Sequence, residues 1–316
     1  MKGLIYMDLN RFISCYNNSP LILTEGAVGL RTINEFGLSC DENIMHACHI
    51  YSSKGREVLR KIYGQYCRVA EEFSLPILLF TNTRRANKER VSASAYKDKN
   101  IFPDYADFLR EIASKYKCEV YIGGYIGCIG DGYTGEGNLS KEQAEDFHAW
   151  QIEAFVQAKI DLIFAALMSS LDETIGMAKA IENNYLPYII SFMIKENGTI
   201  PDGSSIHEAV TAIDNSVHQK PLCYMANCIH PRILKHALQK NDTELVRNRF
   251  NGIQANAAYL PPDKLDKPSE TISSSACDLA NEMVVLCSEF PLKICGGCCG
   301  TDDTHLREFA KRLCTI

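Results

Sequence analysis

The sequence predicts an α/β fold, specifically a closed (β/α)8 TIM barrel, and three observations favour it. Eight short apolar segments alternate along the 316 residues with seven or eight stretches of helical periodicity. No G-x-G-x-x-G fingerprint follows the first apolar segment, which disfavours an open dinucleotide-binding sheet. No internal linker or low-complexity tract divides the chain. We therefore expect an N-terminal extension at residues 1–20 and a single barrel at residues 21–316.

Each predicted strand is a short apolar run that ends at glycine or polar residues. In chain order the runs cover residues 21–24, 76–80, 119–122, 161–167, 186–193, 220–226, 252–256 and 292–295. The predicted helices cover residues 46–73, 108–116, 140–159, 172–183, 206–214, 231–239, 273–290 and 304–313.

Two local signals add detail to this succession of strands and helices. Ser140 and Gln143 have the spacing of a capping box, which marks the start of the helix predicted there. The glycine-rich segment 127–137 is too long and too unusual in composition for a plain connection, so we expect a functional loop.

Composition and charge narrow the choice of partners. The net charge of -6 disfavours nucleic acid and anionic membranes, and the Arg84–Arg90 cluster is interpreted as a solvated helix start. No segment approaches 18 consecutive apolar residues, and the N-terminus lacks the pattern of a signal peptide. We expect a cytoplasmic protein whose 14 cysteines are mostly reduced, small buried side chains. A homo-oligomer is compatible with these properties.

The most unusual stretch is the segment 296–300, where Cys298 and Cys299 lie between glycines. Adjacent residues of a regular strand point to opposite faces, so two neighbouring thiols can serve one centre only if the backbone bends. Glycine permits such a bend, and two thiolates aimed at one point form half of a soft-metal site. The alternative is a buried thiol pair in a turn, and this stretch alone does not decide between the two.

Residues with chemically useful side chains follow several of the predicted strands. In (β/α)8 barrels the chemistry lies at the C-terminal ends of the strands. Barrel closure places the eighth strand next to the first and two positions from the sixth, so Cys228 can converge with Cys298 and Cys299. The other polar residues at strand ends are Glu25, Asn82, Asn227 and Asn256, and Tyr133 lies in the glycine-rich loop.

These residues resemble the homocysteine S-methyltransferase family, zinc-dependent barrels that move a methyl group onto a thiol. The resemblance covers about residues 21–313 and is strongest at Gly296–Thr301 together with Asn227-Cys228. Supporting matches are Thr81-Asn82-Thr83, Tyr133-Thr134-Gly135 with Leu139-Ser140, Ile190-Ser191-Phe192 with Asp202-Gly203, and residues 252–257.

The resemblance implies a catalytic Zn²⁺ held by Cys228, Cys298 and Cys299, with an open position for the substrate sulfur. It implies two small-molecule partners. These are a thiol such as homocysteine, converted to methionine, and a sulfonium-type methyl donor, S-methylmethionine or S-adenosylmethionine. The substrate-binding candidates are Glu25, Asn82, Tyr133, Asn227 and Asn256, although the asparagines could equally cap helices or satisfy loop backbone.

The departures from the family pattern concern the substrate pocket rather than the metal ligands, and one of them is the segment 123–127 after the third strand. Glu25-Gly26 replaces the usual Asp-Gly, which keeps a carboxylate on a longer side chain. Ala166 stands where the family has a glutamate that helps to hold the amino acid part of homocysteine. Loss of that partner predicts a different thiol acceptor. The remaining alternative is a thiol- or metal-binding protein of the same family without methyl transfer.

Overall fold

The computed structural model of the chain describes residues 11–260 and 273–314, and in this part eight parallel strands close into a barrel. Strands pair in chain order, and β8 returns to pair with β1. The strands are β1 Ile22–Thr24, β2 Ile77–Phe80, β3 Val120–Gly127, β4 Leu162–Met168, β5 Tyr188–Phe192, β6 Cys223–Ile229, β7 Phe250–Ala255 and β8 Ile294–Gly297. The predicted (β/α)8 fold is confirmed.

Helices surround the barrel and connect its strands. They are α1 (residues 11–18), α2 Gly29–Asn34, α3 Ser53–Glu72, α4 Lys88–Ala93, α5 Ile101–Ala113, α6 Lys141–Ala158, α7 Leu171–Glu182, α8 Ile206–Ser216, α9 Pro231–Lys240, α10 Glu244–Arg249, α11 Ala276–Glu289, α12 Asp303–Leu313 and a 3₁₀ helix at His46–Tyr51. Within the described residues, no helix has the length and apolar content needed to cross a membrane.

The element boundaries differ from the predictions where a polar cap or continued pairing decides them. The predicted helix 46–73 divides at Ser52, whose side chain accepts the N–H of Gly55 and begins α3. β3 continues through the glycine pair at 123–124 because its pairing with β4 extends to Gly127. The capping box of Ser140 and Gln143 is present at the start of α6.

Helix α1 packs against the N-terminal end of the barrel. Arg11 donates a hydrogen bond of 2.7 Å to the carbonyl of Val120 at the start of β3. Phe12 lies edge-on against Tyr121, with ring centroids 5.2 Å apart, and is fully buried. Helix α1 was not predicted from the sequence. Its stability depends on these contacts with the barrel, which a helical pattern of apolar residues does not reveal. Residues 1–10 of the predicted extension lie outside the described residues.

The apolar interior has two layers. Side chains that point into the barrel form an inner cluster, and a larger cluster lies between the strands and the helices. The C-terminal end of the inner layer is aromatic: the rings of Phe80 and Phe164 stack at 4.4 Å, and Tyr125 lies 5.5 Å from Phe164. This aromatic floor (Phe80, Tyr125 and Phe164) supports the strand ends where the polar residues collect.

Candidate active site

Three thiols from two strand ends meet at the C-terminal mouth of the barrel. The Sγ atom of Cys228 lies 2.8 Å from Sγ of Cys298 and 3.8 Å from Sγ of Cys299. All three sulfur atoms lie within 4.8 Å of one another. Cys228 and Cys299 are buried, and Cys298 is half-buried. The structure therefore brings together the three cysteines that the sequence placed on the sixth and eighth strands.

The backbone leaves regular strand geometry at each of these cysteines. Cys228 has a φ of 55° and lies at a register shift between β6 and β7, where a bulge redirects its side chain. Gly300 has a φ of 77°, which turns the chain directly after Cys299. Gly296 has a different role, because a Cβ there would lie 1.8 Å from Oγ1 of Thr24 on β1. The bend at Cys228 had no signal in the sequence, since a non-glycine residue with positive φ is uncommon.

The donor set fits a soft metal ion. Sulfur atoms bound to a tetrahedral Zn²⁺ at about 2.3 Å are about 3.8 Å apart. The Cys228–Cys299 separation of 3.8 Å has this value, whereas the 2.8 Å contact with Cys298 is shorter. Because Cys298 is half-buried, its side chain has room to move away to the longer distance. The residues present therefore fit a Zn²⁺ held by three sulfur atoms.

Cys228 and Cys299 both have a raised pKa, which favours their protonated forms unless a cation is nearby. The hydrogen bond shared with Cys298, and then burial, raise the pKa of Cys228 above its ordinary value. Hydrogen bonds with Cys228 and Cys298, together with burial, raise the pKa of Cys299 as well. A divalent cation at their common centre would reverse this preference, because a coordinating thiol is deprotonated.

Asn227 and Asn256 hold the bent backbone around the thiols. The Oδ1 atom of Asn227 accepts the backbone N–H of Leu167 at 3.0 Å and the hydroxyl of Ser191 at 2.6 Å. The Oδ1 atom of Asn256 accepts the backbone N–H of Cys299 at 3.1 Å. Both asparagines are fully buried, and within the described residues their Nδ2 atoms have no hydrogen-bond partner.

Both asparagines were predicted as substrate-binding candidates, and neither is among the residues that line the cavity. Bent strand ends leave backbone N–H groups that need acceptors, and the two side chains supply them. Their contacts in the structure match the backbone alternative that the sequence left open.

A cavity of about 430 Å³ opens in front of the three cysteines. Three of the predicted substrate-binding residues, Glu25, Asn82 and Tyr133, lie in its wall. Leu167 at the end of β4 and Gln254 of β7 lie in the wall as well. The volume is within the range of small-molecule sites.

Glu25 is a buried carboxyl group in this wall. Its Oε2 atom accepts the backbone N–H of Phe80 at 2.7 Å, and the residue is 5% exposed. Burial raises the pKa of Glu25 well above its usual range, and the hydrogen bond from Phe80 offsets only part of this effect. A positively charged group entering the cavity would restore the carboxylate form.

Asn82 is held by two buried tyrosines. Its Nδ2 atom donates to the hydroxyls of Tyr63 at 3.1 Å and Tyr105 at 2.9 Å. Both tyrosine side chains are fully buried in the outer layer. With its amide hydrogens used in this way, Asn82 has its Oδ1 atom to offer as an acceptor to a ligand.

Tyr133 reaches the three cysteines from the glycine-rich loop. Its hydroxyl donates to Sγ of Cys228 at 3.7 Å. The loop itself is fixed by Glu173 of α7, whose carboxylate accepts the N–H of Ile129 at 2.8 Å and of Leu139 at 3.4 Å. Glu173 is fully buried and also bonds Nε2 of His148 at 3.0 Å. The loop is therefore anchored at both ends, with Tyr133 between the anchors.

Two arginines that the sequence analysis interpreted as a solvated helix start lie in the cavity wall. Arg84 and Arg85 line the cavity, and the helix begins only at Lys88, after the cap residue Asn87. The Nε atom of Arg85 is buried and has no hydrogen-bond partner in the described part of the chain. Burial, and then the neighbouring arginines, lower the pKa of Arg85 below its ordinary value. The interpretation fits the part of the cluster from Lys88 onwards, where α4 begins and Lys88 and Glu89 are exposed. It was wrong for Arg84 and Arg85, because charged residues after a strand can point into the barrel mouth as readily as into solvent.

Ala166 lies in the inner cluster, next to the aromatic floor. It is fully buried and packs in the cluster that contains Phe80 and Phe164. Tyr125 packs against the same cluster and also lines the cavity. The place where the resemblance expects a glutamate is therefore occupied by an apolar and aromatic surface.

The fold and the site together define a class: a parallel barrel with three converging cysteines at the mouth of a cavity of small-molecule size. The chain belongs to the homocysteine S-methyltransferase family, since the sequence model of that family matches residues 22–313. The family prediction from the cysteine and glycine motifs is confirmed.

The relatives are distant. Homocysteine S-methyltransferase 1 of Brassica oleracea var. italica is 24% identical over 205 residues, which cover 61% of this chain and 59% of that protein. Homocysteine S-methyltransferase 2 of Arabidopsis thaliana is 23% identical over 236 residues, covering 74% of this chain and 68% of the relative. The alignment thus spans less than two thirds of the Brassica protein.

Solved structures with the same fold extend the similarity over nearly the whole chain. The homocysteine methyltransferase MmuM from Escherichia coli in its oxidized form has a TM-score of 0.74 and 17% identity, covering 94% of this chain and 97% of MmuM. Its metallated form has the same score and identity, with coverage of 96% and 99%. At this level of identity the similarity concerns the fold.

Proposed function

We propose that the protein transfers a methyl group from a sulfonium-type donor to a thiol, with Zn²⁺ bound by Cys228, Cys298 and Cys299. The observation that carries this proposal is the convergence of three sulfur atoms within 4.8 Å at a cavity of about 430 Å³. Three thiolates and one open position are typical of a catalytic rather than a structural zinc site. Family membership supports the same class of reaction.

The chemistry divides between the ion and the cavity. When bound, Zn²⁺ would lower the pKa of the acceptor thiol and hold its sulfur in a fixed position. The acceptor sulfur attacks the methyl carbon of the donor in line. The new S–CH₃ bond forms as the old one breaks, the donor leaves as a neutral thioether, and the proton of the acceptor thiol is released to solvent. The cavity holds the acceptor sulfur and the donor sulfonium in this alignment. Such positioning accounts for much of the rate acceleration in reactions of this kind.

The polar groups of the wall suggest how the acceptor is held. Glu25 would pair with an ammonium group, which favours its carboxylate form at neutral pH. Arg84 and Arg85 would receive a carboxylate or another anionic group. Tyr133 would donate to the sulfur of Cys228 and draw charge from it. These contacts match an acceptor that carries a thiol, an amine and an acid, as homocysteine does.

A second candidate is an acceptor thiol other than homocysteine, and one observation favours it. The wall offers two arginines but one buried carboxyl group, and Ala166 lies in an apolar cluster. A thiol with more negative than positive charge would match this balance. S-methylmethionine and S-adenosylmethionine remain the proposed donors.

The experiment is a methyl-transfer assay with zinc-loaded protein, the two sulfonium donors and a panel of thiols. The panel contains homocysteine, cysteine and thiols with a carboxylate or sulfonate but no amine. We expect a methylated thiol, detected by mass spectrometry, that disappears in Cys298→Ser. Preference for homocysteine supports the first candidate, and preference for an amine-free thiol supports the second. Zinc binding without product from any thiol would contradict both and leave a binding protein.

A further inference from the structure

A second group of metal-ligating side chains lies between α2 and the end of the 3₁₀ helix. The Sγ atom of Cys40 is 3.2 Å from Nδ1 of His46 and 3.8 Å from Nε2 of His49. The three donor atoms lie within 4.8 Å of one another. Among the described residues, this group and the three-cysteine centre are the two places where such donors meet. The two groups share no residue.

The local backbone explains why these three side chains converge. Asp41 and Met45 form an antiparallel bridge, with N–H···O hydrogen bonds of 3.0 and 3.4 Å in the two directions. The bridge places the flanking residues Cys40 and His46 side by side. In a 3₁₀ helix the side chains three residues apart eclipse each other, so His46 and His49 project from the same face. Their ring centroids are 5.7 Å apart.

Met45 contributes a constrained backbone to this arrangement. Its φ of 51° and ψ of -126° lie in a region that residues with a side chain rarely adopt. Such conformations persist only where the surroundings fix them, and they cluster at functional sites. Here the unusual conformation directly precedes His46, the residue of the group that also lines the cavity.

Both ring nitrogens of His49 have partners compatible with metal binding. The Sγ atom of Cys48 lies 3.6 Å from Nδ1 and can accept its hydrogen, which leaves the lone pair of Nε2 facing Cys40. The hydroxyl of Thr32 lies 3.1 Å from Nε2, but it donates its own hydrogen to the carbonyl of Gly29 at 2.6 Å. Thr32 can therefore accept Nε2–H when no metal is bound, and His49 is satisfied in either tautomer.

We propose that Cys40, His46 and His49 form a second metal site that takes Zn²⁺ or a similar borderline-soft divalent ion. Bonds of about 2.3 Å to sulfur and about 2.05 Å to nitrogen at tetrahedral angles give S···N separations of about 3.6 Å. The observed separations of 3.2 and 3.8 Å lie on either side of this value. Binding releases the thiol proton of Cys40 to solvent, and a water molecule completes the four-coordinate shell.

The site has a structural consequence for the cavity and does not depend on the proposed methyl transfer. An ion bound there would join the loop after α2 to the 3₁₀ helix. Met45 and His46 belong to the cavity wall, and the bonds from the ion to its ligands would fix their positions as well. Because the ion binds the folded chain, it would also raise the unfolding temperature.

The test is elemental analysis of the full chain after equilibration with Zn²⁺ and removal of the excess. We expect about two ions per chain, because each group binds one. Cys40→Ser and His46→Asn should each lose one of them, and so should the double variant Cys298→Ala/Cys299→Ala. Cys314→Ser, which changes an exposed thiol outside both groups, is the matched control and should retain both.

Cobalt spectra separate the two sites independently of activity. In Cys298→Ala/Cys299→Ala, Co²⁺ at the second site should give tetrahedral visible bands with weak sulfur-to-cobalt absorption, since one thiolate is bound. Adding Cys40→Ser should abolish those bands. If Cys40→Ser and His46→Asn both bind as much metal as the wild type, the proposal is overturned. This holds whatever the result of the methyl-transfer assay.

Discussion

The side chain of Asn227 accepts the backbone N–H of Leu167 at 3.0 Å and so joins the end of β6 to the end of β4. Both strands are irregular at this point, and Leu167 and Cys228 have φ values of 54° and 55°. Leu167 lines the cavity and Cys228 belongs to the group of three converging cysteines, so one hydrogen bond fixes two parts of the site.

Asn227→Ala tests this coupling. The substitution leaves a buried N–H without an acceptor, so we expect the free energy of unfolding to fall by about 1–3 kcal/mol. Because Cys228 is the next residue, zinc retention against a chelator should weaken as well. Denaturant unfolding and metal competition measure the two effects. Ser191→Ala is the control: it removes the other donor to Asn227 but leaves the Leu167 bond, and an equal loss there would contradict the argument.

Cys228→Ser should remove methyl transfer and zinc binding at the first centre together. Serine cannot supply the soft sulfur ligand, and we expect activity to fall by a factor on the order of 100 or more. The matched control is Cys295→Ala, because Cys295 is buried in β8 and its sulfur lies 4.0 Å from that of Cys287. Turnover under saturating zinc and metal content distinguish the two variants. Full activity of Cys228→Ser would exclude this cysteine from the chemistry.

Glu25→Gln should separate stability from substrate binding. Burial raises the pKa of Glu25 in the folded state. The contribution of the protonated side chain to the free energy of unfolding is therefore fully present below the unfolded-state pKa of about 4.3. That stability is lost as the pH rises through the folded-state pKa. Glutamine does not ionise, so the variant should gain stability relative to wild type as the pH increases towards neutral.

The same variant should bind an amine-bearing acceptor less well, because the ion pair with the ammonium group is lost. We expect KM for such a thiol to rise by about 10-fold or more, while KM for an amine-free thiol is unchanged. Thermal unfolding across the pH range and KM measurements test both expectations. Glu136→Gln, in the exposed part of the glycine-rich loop, serves as a control.

Arg84→Met should weaken binding of an acidic acceptor. The cavity would lose one of two guanidinium groups, and charge-assisted hydrogen bonds contribute about 1.5–3 kcal/mol each. We expect KM to rise by roughly 10- to 100-fold with kcat much less affected, measured as initial rates over a range of thiol concentrations. Arg90→Met changes an arginine of α4 that does not line the cavity and should leave KM unaltered. Equal effects of the two variants would point to general charge rather than a specific contact.

The ion pair between Asp302 and His305 predicts a pH-dependent stability near the end of the chain. Their Oδ1 and Nδ1 atoms lie 2.7 Å apart. Burial opposes the charge of both groups, but the hydrogen bond between them lowers the pKa of Asp302 and raises that of His305.

The stability linked to Asp302 is present above its unfolded pKa of about 3.9 and is lost as the pH falls. The stability linked to His305 is complete below about 6.5 and is lost as the pH rises through its folded-state value. Asp302→Asn keeps the helix cap of α12 but removes the charge. Its unfolding temperature should therefore fall further below wild type near pH 5 than near pH 8. A pH-independent difference would argue against the ion pair.

The regular parts of the fold were predictable because they depend on local pattern. Apolar runs of strand length alternate with amphipathic helices, and eight repeats of this unit indicated the barrel. The capping box of Ser140 and Gln143 was read directly from its spacing. The short helices α2 and α10 were not predicted, since six residues carry too little periodicity for recognition.

The candidate site was predictable only in part. Cys298 and Cys299 were conspicuous because they are adjacent and flanked by glycines, and Cys228 followed from the order of strands in a closed barrel. Arg84 and Arg85 were missed because their sequence context does not indicate on which side of the strand end they lie. Cys40 was missed for a different reason, since it meets its partners through an isolated bridge between Asp41 and Met45 that has no pattern in the sequence.

By itself, the sequence determined the class of fold and the family, and it predicted a set of thiols as candidate ligands for a soft metal. These properties follow from residue type and from spacing along the chain, so another chain with the same pattern would share them. Only the tertiary structure decided which polar groups face the cavity and which support its wall. Asn227 and Glu25 illustrate the difference: both lie near the C-terminal end of a strand, yet the bulges and register of the closed barrel bury one against the backbone and leave the other lining the cavity. That outcome depends on contacts between residues far apart in the chain.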